Sequence, residues 1–560
     1  MINGTELKKA IISGANNILK HKTAVDDLNI FPVPDGDTGT NMSMTIGSAV
    51  RELEKYGGSS AAEAAHLAAE AMLRGARGNS GVILSILFRG LAKGTEGLDS
   101  VSAEDMVNAF GLGVESAYKA VMKPTEGTIL TVARVACEKG RAAAQSSDDT
   151  AAVWQAVCDG AGEALSHTPE LLPVLKRAGV VDAGGKGLCL IFEGMLSVFR
   201  EGVVIQPENE EKEEAAGGKT DDFFRNAAAE FDQDIHYTYC TEFIIGRNPD
   251  CKKDPADLRK FLETMGDCVL VVDDDEIIKV HVHTEDPGNA LEAGLAFGQL
   301  LTVKVDNMKE QHRRAEEENQ AARKAAASTP EPAPAEPAGA VGFVAVAAGE
   351  GLKTLFTDLG CAQVVSGGQT MNPSTEDLAA AVRATPAKTV LILPNNKNII
   401  LAAEQVIPLV KDRKVIVLPT RTIPQGLSAM LAYNPDTAVE ANTVTMMEAA
   451  SGVDTGTVTF AARDSEFGGR RIHKDDTLGL VNGKLEIVDR TRNVERVCQR
   501  LVHSMVNRGT AFITLIYGAE VSEETANSVY GQIKSKVGSN IEVTLVNGGQ
   551  PVYYFIISVE

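Results

Sequence analysis

The sequence lacks several features that would place the protein in a specialised class. No apolar run is long enough to cross a bilayer, and the first residues, Met-Ile-Asn-Gly-Thr-Glu, lack the charged and apolar regions of a signal peptide. The chain has eight cysteines in 560 residues, and their scattered positions do not form a disulfide framework. We therefore expect a protein of the reducing cytoplasm.

Aromatic and basic residues are also scarce. Aromatic residues make up 5% of the chain, with a single tryptophan. The chain has 76 acidic and 54 basic residues, and the resulting net charge of -22 argues against a large nucleic-acid-binding face. Single hydrophobic cores seldom grow beyond about 250–300 residues. The length therefore predicts a multidomain protein.

Changes of pattern divide the chain into five segments. Residues 1–200 carry apolar residues at helical spacing, which predicts an all-α domain. Residues 201–226 are charged and aperiodic, as in an acidic linker. Residues 227–308 contain short alternating strands of a small middle α/β domain, and residues 309–340 form a charged and then Pro/Ala-rich linker. In residues 341–560 strands and helices alternate, which predicts a doubly wound parallel sheet with helices on both faces.

One stretch of the first domain, Asn29 to Met42, has the residue types of a metal and phosphate site. Its sequence is Asn-Ile-Phe-Pro-Val-Pro-Asp-Gly-Asp-Thr-Gly-Thr-Asn-Met. Asp35 and Asp37 repel one another unless a cation lies between them, and hard oxygen ligands suit Mg²⁺. A predicted helix, Met44 to Glu54, follows, and free N–H groups at a helix start favour an anion. An Asp/Gly turn between two helices explains the stretch equally well.

Three further loops of this domain have a similar character. They are Arg74–Gly81, Lys123–Thr128 and Ala178–Leu188, and each contains glycine and polar residues just before a predicted helix. Any one of them alone is more simply explained as a helix cap. Four such loops in one helical domain predict a cleft at one end of a bundle.

These motifs resemble the ATP-binding DhaL domain of the dihydroxyacetone kinase family and, more closely, the bacterial fatty acid kinases. The matching segments are the Asn29–Met42 stretch, Arg-Gly-Ala-Arg-Gly-Asn-Ser-Gly-Val-Ile-Leu-Ser from Arg74, and Val-Asp-Ala-Gly-Gly-Lys-Gly-Leu from Val181. The resemblance implies an eight-helix barrel that binds ATP and Mg²⁺ at one mouth. It implies that Asp35 and Asp37 bind the metal and are the residues on which catalysis depends. The nucleotide-contacting positions that it implies are Thr38, Thr40, Asn41, Met42, Gly78, Asn79, Ser80, Gly81, Thr128 and Asp182.

The sequence departs from the triose kinases at one position. Those enzymes carry a third metal-binding aspartate upstream of the pair, where this chain has Ile30 beside Asn29. Either Asn29 contributes an oxygen ligand, or the metal keeps an extra water, or one of two metals binds weakly. The number of magnesium ions therefore stays open.

The middle domain contains a candidate zinc site. A strand with two-residue periodicity places His281 and His283 on one face, and Cys240 lies in a strand that we expect to pair nearby. Two imidazoles and a thiolate are good zinc ligands. Two exposed histidines beside a buried cysteine are the simpler explanation, but similarity to the fatty acid kinase middle domain favours Zn²⁺, which we expect to be structural.

The resemblance also implies a substrate and a partner. Residues 341–560 resemble the DegV family of lipid-binding proteins, so the expected activity is phosphorylation of a fatty acid carboxylate presented by a DegV-like carrier, giving acyl phosphate for phospholipid synthesis. A carboxylate is already ionised and needs no general base, and no histidine lies in the metal and phosphate loops. The alternatives are the ATP-binding component of a triose kinase and a non-catalytic regulator that binds nucleotide and carrier. We expect a homodimer.

Overall fold

The computed structural model describes residues 1–29, 37–121, 123–206, 237–248, 251, 253–273, 277–307, 333–368, 371–467 and 470–560. Asp35, Ile30 and most of both predicted linkers lie outside these residues. The chain divides into two compact units, one containing its N- and C-terminal regions and the other its middle region. Among the residues described, no helix combines the length and the apolar character needed to cross a membrane.

The N-terminal domain is helical, apart from a pairing of β1 (Ile2–Asn3) with β2 (Ser100–Val101). Eight long and two short helices make up its described part. They are α1 (Gly4–Lys20), α2 (Lys22–Asp26), α3 (Thr38–Lys55), α4 (Ala61–Gly75), α5 (Gly78–Gly94), α6 (Ala103–Ala120), α7 (Ile129–Ala144), α8 (Thr150–Leu171), α9 (Pro173–Ala178) and α10 (Ala183–Glu201).

The eight long helices form a closed ring. Going round the ring, α1 packs on α3, α3 on α4, and so on through α5, α6, α7 and α8 to α10, which packs back on α1. This arrangement confirms the predicted eight-helix barrel. Its centre includes Trp154, Phe110 and Phe192, whose rings contact one another at centroid distances of 5.4–5.7 Å.

Three helices begin earlier than the sequence predicts. Helix α3 begins at Thr38, α5 at Gly78 and α10 at Ala183, so the glycine-containing motifs form first helical turns rather than loops. Glycine disfavours a helix locally, but close packing overrides the propensity here. A Cβ atom at Gly81 would lie 2.3 Å from the Thr45 hydroxyl, and one at Gly187 would lie 2.7 Å from Met42 Sδ.

The middle unit is a four-stranded antiparallel sheet with two helices. The strands lie in the order β4-β5-β3-β6, and the sequence did not predict β6. Phe243, Ile245, Val280 and Leu258 are among its buried core residues. Its elements are β3 (Tyr239–Arg247), α11 (Pro255–Glu263), β4 (Gly266–Asp273), β5 (Ile277–Thr284), α12 (Pro287–Leu295) and β6 (Gly298–Asn307).

The C-terminal domain begins with a parallel sheet in the order β10-β9-β7-β8, as predicted. Alternate residues of β7 enter different cores, Phe343 on one face and Val344 on the other, so helices cover both faces. The elements are β7 (Gly339–Val346), α13 (Glu350–Asp358), β8 (Gln363–Val365), α14 (Thr375–Ala384), β9 (Ala387–Leu393), α15 (Ile400–Leu409), β10 (Lys414–Val417), α16 (Ile423–Leu431) and α17 (Val439–Ser451).

A second, mixed sheet completes this domain. Its six strands lie in the order β15-β14-β11-β18-β16-β17, with only β16 and β17 parallel. The sequence analysis did not predict this second sheet. The elements are β11 (Asp454–Phe460), a hairpin of β12 (Ser465–Phe467) and β13 (Arg470–Ile472), β14 (Thr477–Val481), β15 (Lys484–Asp489), α18 (Val494–Met505), β16 (Phe512–Tyr517), α19 (Glu523–Lys536), β17 (Glu542–Asn547) and β18 (Phe555–Val559).

The helical domain and the parallel sheet share one hydrophobic core. Val344 and Ile392 of the sheet belong to the same buried cluster as the barrel residues. Helix α14 packs on α4, and α15 packs on α5. The C-terminal domain therefore packs directly against the barrel.

Candidate active site

Asp37 lies at the start of α3, beside Asn29. The Thr38 hydroxyl donates a hydrogen bond to Asn29 Oδ1 at 2.9 Å, which holds the amide oxygen next to the helix start. The Asp37 carboxylate accepts a hydrogen bond from Asn372 Nδ2 at 2.6 Å. Carboxylate, amide and hydroxyl oxygens are hard ligands, so this set fits Mg²⁺. The site residue Asp35 lies outside the described residues.

Asp26 is a site residue that the sequence analysis missed. Its carboxylate accepts hydrogen bonds from the Gly39 N–H at 2.6 Å and from the Thr40 hydroxyl at 2.7 Å. Burial raises the pKa of this carboxyl, while the bonds from Thr40 oppose the rise. The Thr40 hydroxyl is thus directed at Asp26, and its contact with phosphate stays a prediction. No local motif marks Asp26, since it lies at the end of the preceding short helix.

Asn41 and Gly78 bring the starts of α3 and α5 into contact. Asn41 is buried, and a Cβ atom at Gly78 would lie 2.5 Å from Asn41 Nδ2 and 3.5 Å from Asn372 Nδ2. Gly78 has φ +57°, a conformation that L-residues with a side chain seldom adopt. Gly78 therefore permits the close approach of both asparagines.

Two predicted nucleotide-contacting residues serve helix packing. Met42 has no exposed surface and packs against Gly187 of α10. Gly81 packs against Thr45 of α3. Neither residue has a side-chain atom directed at open space. Both instead contribute to the close packing of the helices at the barrel mouth.

A cavity of about 460 Å³ opens at this end of the barrel. The predicted site residues that line it are Asn29, Thr38, Asn79, Ser80, Thr128 and Asp182. Asn29 lies after the end of α2, and the other five residues come from the starts of four helices, α3, α5, α7 and α10. Each helix start directs the positive end of a helix dipole at the cavity, which suits it to an anion. Asp26, Thr128 and Asp182 accept hydrogen bonds from N–H groups of α3, α7 and α10, whereas the start of α5 has no side-chain cap.

Asp182 is the buried acid of this cavity. It caps α10 by accepting a hydrogen bond from the Gly185 N–H at 2.7 Å. Burial raises the pKa of its carboxyl to about 6, and the hydrogen bonds from Gly185 and Ile129 oppose that rise. A Cβ atom at Gly184 would lie 3.4 Å from Asp182 Oδ2 and 3.6 Å from Ser80 Oγ, which places these two side chains together.

The middle unit brings the predicted zinc ligands together. Ligand atoms of Cys240, His281 and His283 all lie within 4.8 Å of one another, and all three residues are buried. Burial excludes the alternative of two exposed histidines. The two Nε2 atoms are 3.1 Å apart, while His281 Nδ1 lies 3.2 Å from Glu242 and His283 Nδ1 lies 3.4 Å from Asp267.

This geometry suits a divalent metal. With both Nε2 atoms turned to a common point, each Nδ1–H can donate to a carboxylate, as in the carboxylate–histidine–zinc arrangement. The Cys240 sulfur lies 3.9 Å from His281 Nδ1, on the side of that ring which also faces Glu242. A sulfur and two nitrogens are ligands that zinc prefers.

Comparison with known families agrees with this organisation. Residues 32–197 match the DAK2 domain, residues 236–315 match the middle domain of the FakA-like fatty acid kinase proteins, and residues 342–560 match their C-terminal domain. Protein YloV of Bacillus subtilis is 41% identical over 564 residues, covering 100% of this chain and 99% of YloV. An uncharacterized protein of Staphylococcus epidermidis is 40% identical over 571 residues, with coverage of 100% and 99%.

Two solved structures align with single regions of the chain. The dihydroxyacetone kinase of C. freundii, in complex with AMP-PNP and Mg²⁺, is 21% identical with a TM-score of 0.28 and covers 34% of this chain and 33% of its own. A fatty-acid-binding DegV family protein from Thermus thermophilus is 15% identical with a TM-score of 0.30, and the coverage is 40% and 99%. A 41% identical relative matches the whole length of the chain, and family models match all three of its regions. The chain therefore belongs to the FakA-like fatty acid kinase family, with a kinase domain of the DAK2 type at its N-terminus.

Proposed function

We propose that this protein is an ATP-dependent kinase that phosphorylates the carboxylate of a fatty acid held by a DegV-like carrier protein. The observation that carries the proposal is the meeting of four helix starts and Asn29 at one cavity, with Asp37 directly before the lining residue Thr38. Phosphoryl transfer depends mainly on positioning and on neutralising charge, and this cavity offers both.

The metal would be held by Asp35 and Asp37, with Asn29 as a further oxygen ligand. Bound Mg²⁺ would supply charge neutralisation for the phosphates. The N–H groups of α5 at Asn79 and Ser80 would bind the phosphate oxygens, and Thr128 and Asp182 would contact the nucleoside.

The reaction needs no base on the acceptor. A fatty acid carboxylate oxygen attacks the γ-phosphorus, the bond from that phosphorus to the β–γ bridging oxygen breaks, and ADP leaves with the electron pair. No proton moves from the acceptor, because the carboxyl group is ionised at neutral pH. In the described part of the chain, no histidine lines the cavity, which favours this acceptor over a triose hydroxyl.

The experiment is a comparison of acceptors. The full chain with Mg-ATP is offered a DegV-family carrier loaded with a long-chain fatty acid, the free acid, or dihydroxyacetone. We expect ADP release and a hydroxylamine-trapped acyl hydroxamate with the loaded carrier. Turnover with dihydroxyacetone alone would assign a triose kinase, and no turnover with any acceptor would favour a regulator.

We propose that the middle unit holds one structural Zn²⁺ on Cys240, His281 and His283. The support is the buried cluster itself, together with the carboxylates of Glu242 and Asp267 behind the two imidazoles. A fourth ligand would be a water or a carboxylate oxygen.

We also propose a homodimer formed through β6. Val303 and Val305 lie two residues apart on this edge strand, so they point to one face, and Leu301 lies at the register shift before them. Leu301, Val303 and Val305 are 60%, 46% and 40% exposed. An exposed apolar edge strand favours association. Sedimentation of the full chain should give a dimer that Val303→Lys converts to a monomer, and a monomeric wild-type chain would refute the proposal.

A further inference from the structure

The cavity at the barrel mouth has a second wall that the sequence motifs do not contain. Five residues of the C-terminal domain line it together with the helix starts. They are Lys397, Ile400, Leu401, Glu404 and Arg421. The kinase-type domain therefore does not enclose its own cavity.

The two cations of this wall come from equivalent places in the parallel sheet. Lys397 follows β9 and Arg421 follows β10, so both lie beyond the carboxyl ends of neighbouring strands. Ligands of doubly wound sheets bind in this position. Both residues are exposed, so their charged groups are accessible from the cavity.

The wall is held in place by direct contacts between the two domains. Arg77 of the second kinase motif donates to the Asn372 carbonyl at 2.7 Å and lies 3.6 Å from the Asp377 carboxylate. The Thr375 N–H donates to the Ala76 carbonyl at 3.1 Å. Asn372 itself contacts Asp37. With the shared core, these contacts fix the distance of the wall from the metal ligands.

The charge of the cavity indicates why the second wall is needed. On the barrel side the described charged lining residues are Lys123 and Asp182. Asp37 lies close by, and a nucleoside triphosphate adds further negative charge. On the other wall, burial raises the pKa of Glu404. Lys123 and Asp182 carry opposite charges, so Lys397 and Arg421 supply the excess of positive charge in the described lining.

We propose that Lys397 and Arg421 bind the phosphate groups of the nucleotide, so that the C-terminal domain forms part of the kinase site. This inference rests on the proposed function, because it assumes that a nucleotide occupies the cavity. Arg and Lys side chains stabilise charge on phosphoryl groups in a water-poor site. The C-terminal domain then has a role in nucleotide binding besides any contact with a carrier.

The test is calorimetry of the full chain with Mg-AMP-PNP and with adenosine. We expect Lys397→Met and Arg421→Met each to raise the Kd for Mg-AMP-PNP by roughly 10- to 150-fold, as for the loss of a charged hydrogen bond. The Kd for adenosine should stay unchanged, since adenosine has no phosphate. Lys414→Met is the matched control, because Lys414 is exposed on β10, pairs with Glu440 and lies outside the cavity.

The outcomes separate this inference from the proposed function. If the wild-type chain does not bind Mg-AMP-PNP, the proposed function itself is refuted. Normal wild-type binding with unchanged affinity in both variants would overturn the inference alone, and would assign the two cations to the adjoining crevice of about 350 Å³ that they also line. Equal loss of affinity for adenosine would also overturn it, because that result indicates damage to the cavity.

Discussion

Asp37 is the residue at which the two domains and the candidate metal site meet. It follows the proline-containing stretch of the first motif, and its carboxylate contacts Asn372, which lies 335 residues further along the chain. A carboxylate at this place can bind a cation and neutralise its charge, whereas an amide of the same shape offers only an uncharged oxygen.

We therefore predict that Asp37→Asn lowers the rate of ADP release at least about 100-fold, the scale on which a single electrostatic contact acts in catalysis. The asparagine oxygen can still accept the hydrogen bond from Asn372, so the melting temperature should change little. The control is Asp148→Asn, an exposed acid before α8. An active Asp37→Asn protein would remove this residue from the metal site.

Asp182 predicts a pH dependence of stability. Its pKa is about 6 in the folded chain against an ordinary value of 3.8, so the folded state binds the proton more tightly. Its contribution to stability is full below the lower value and is lost as pH rises through about 6. With about 1.4 kcal/mol per pKa unit, the loss is on the order of 2–3 kcal/mol.

The measurement is urea unfolding of wild type and Asp182→Asn between pH 4 and pH 7. The asparagine keeps an oxygen for the Gly185 N–H but has no charge to bury. The free energy of unfolding of the variant, relative to wild type, should therefore increase with pH. A difference that is constant over this range would contradict the assignment.

At the scale of elements, the start of α5 depends on one glycine. Gly78→Ala places a methyl group 2.5 Å from Asn41 Nδ2 at a positive φ, so we predict a loss of about 1–2 kcal/mol of stability and weaker binding of Mg-ATP. Gly47→Ala in α3 is the matched control. Its Cβ would meet nothing within 4 Å, so it should be neutral or stabilising. Thermal unfolding and calorimetry would compare the two, and equal behaviour would contradict the predicted close approach.

The elements also show what local sequence can and cannot predict. Apolar periodicity correctly predicted the helical first domain and the alternating strands and helices of the C-terminal domain, as in α7 and α14. Periodicity did not predict that α5 begins at Gly78 and α10 at Ala183, where close packing stabilises a helical turn in a glycine-rich sequence. It also missed β6 and most of the second sheet, because antiparallel partners far apart in sequence are chosen by tertiary contacts.

The residues of the candidate site also fall into two groups, those that the sequence predicted and those that it did not. The motifs around Asp37, Ser80, Thr128 and Asp182 were visible in the sequence because each precedes a helix. Asp26 was not visible in the sequence. Asn372 and the two cations of the second wall lie in polar loops after predicted strands of the C-terminal domain, and only the fold brings those loops to this cavity. Contacts such as the hydrogen bond between Asn372 and Asp37 join different domains, so no local sequence pattern predicts them.

At the scale of the whole molecule, the middle unit predicts dependence on a metal. The purified chain should contain about one zinc per chain, and a strong chelator should lower its melting temperature, because removal leaves buried imidazoles and a thiol without their ligand. Cys240→Ser should reduce the zinc content, whereas Cys251→Ser should not, since Cys251 is half-buried and its sulfur lies 3.5 Å from the Ala296 carbonyl. A zinc-free protein that the chelator does not affect would contradict the site.

The central claim is that the mouth of the helical barrel binds a magnesium nucleotide. Isothermal calorimetry of the full-length wild-type chain tests it most directly, with ATP titrated in the presence and in the absence of Mg²⁺. We predict saturable binding of one ATP per chain that weakens strongly when Mg²⁺ is omitted. The absence of heat with Mg-ATP, or binding that does not respond to Mg²⁺, would contradict the claim.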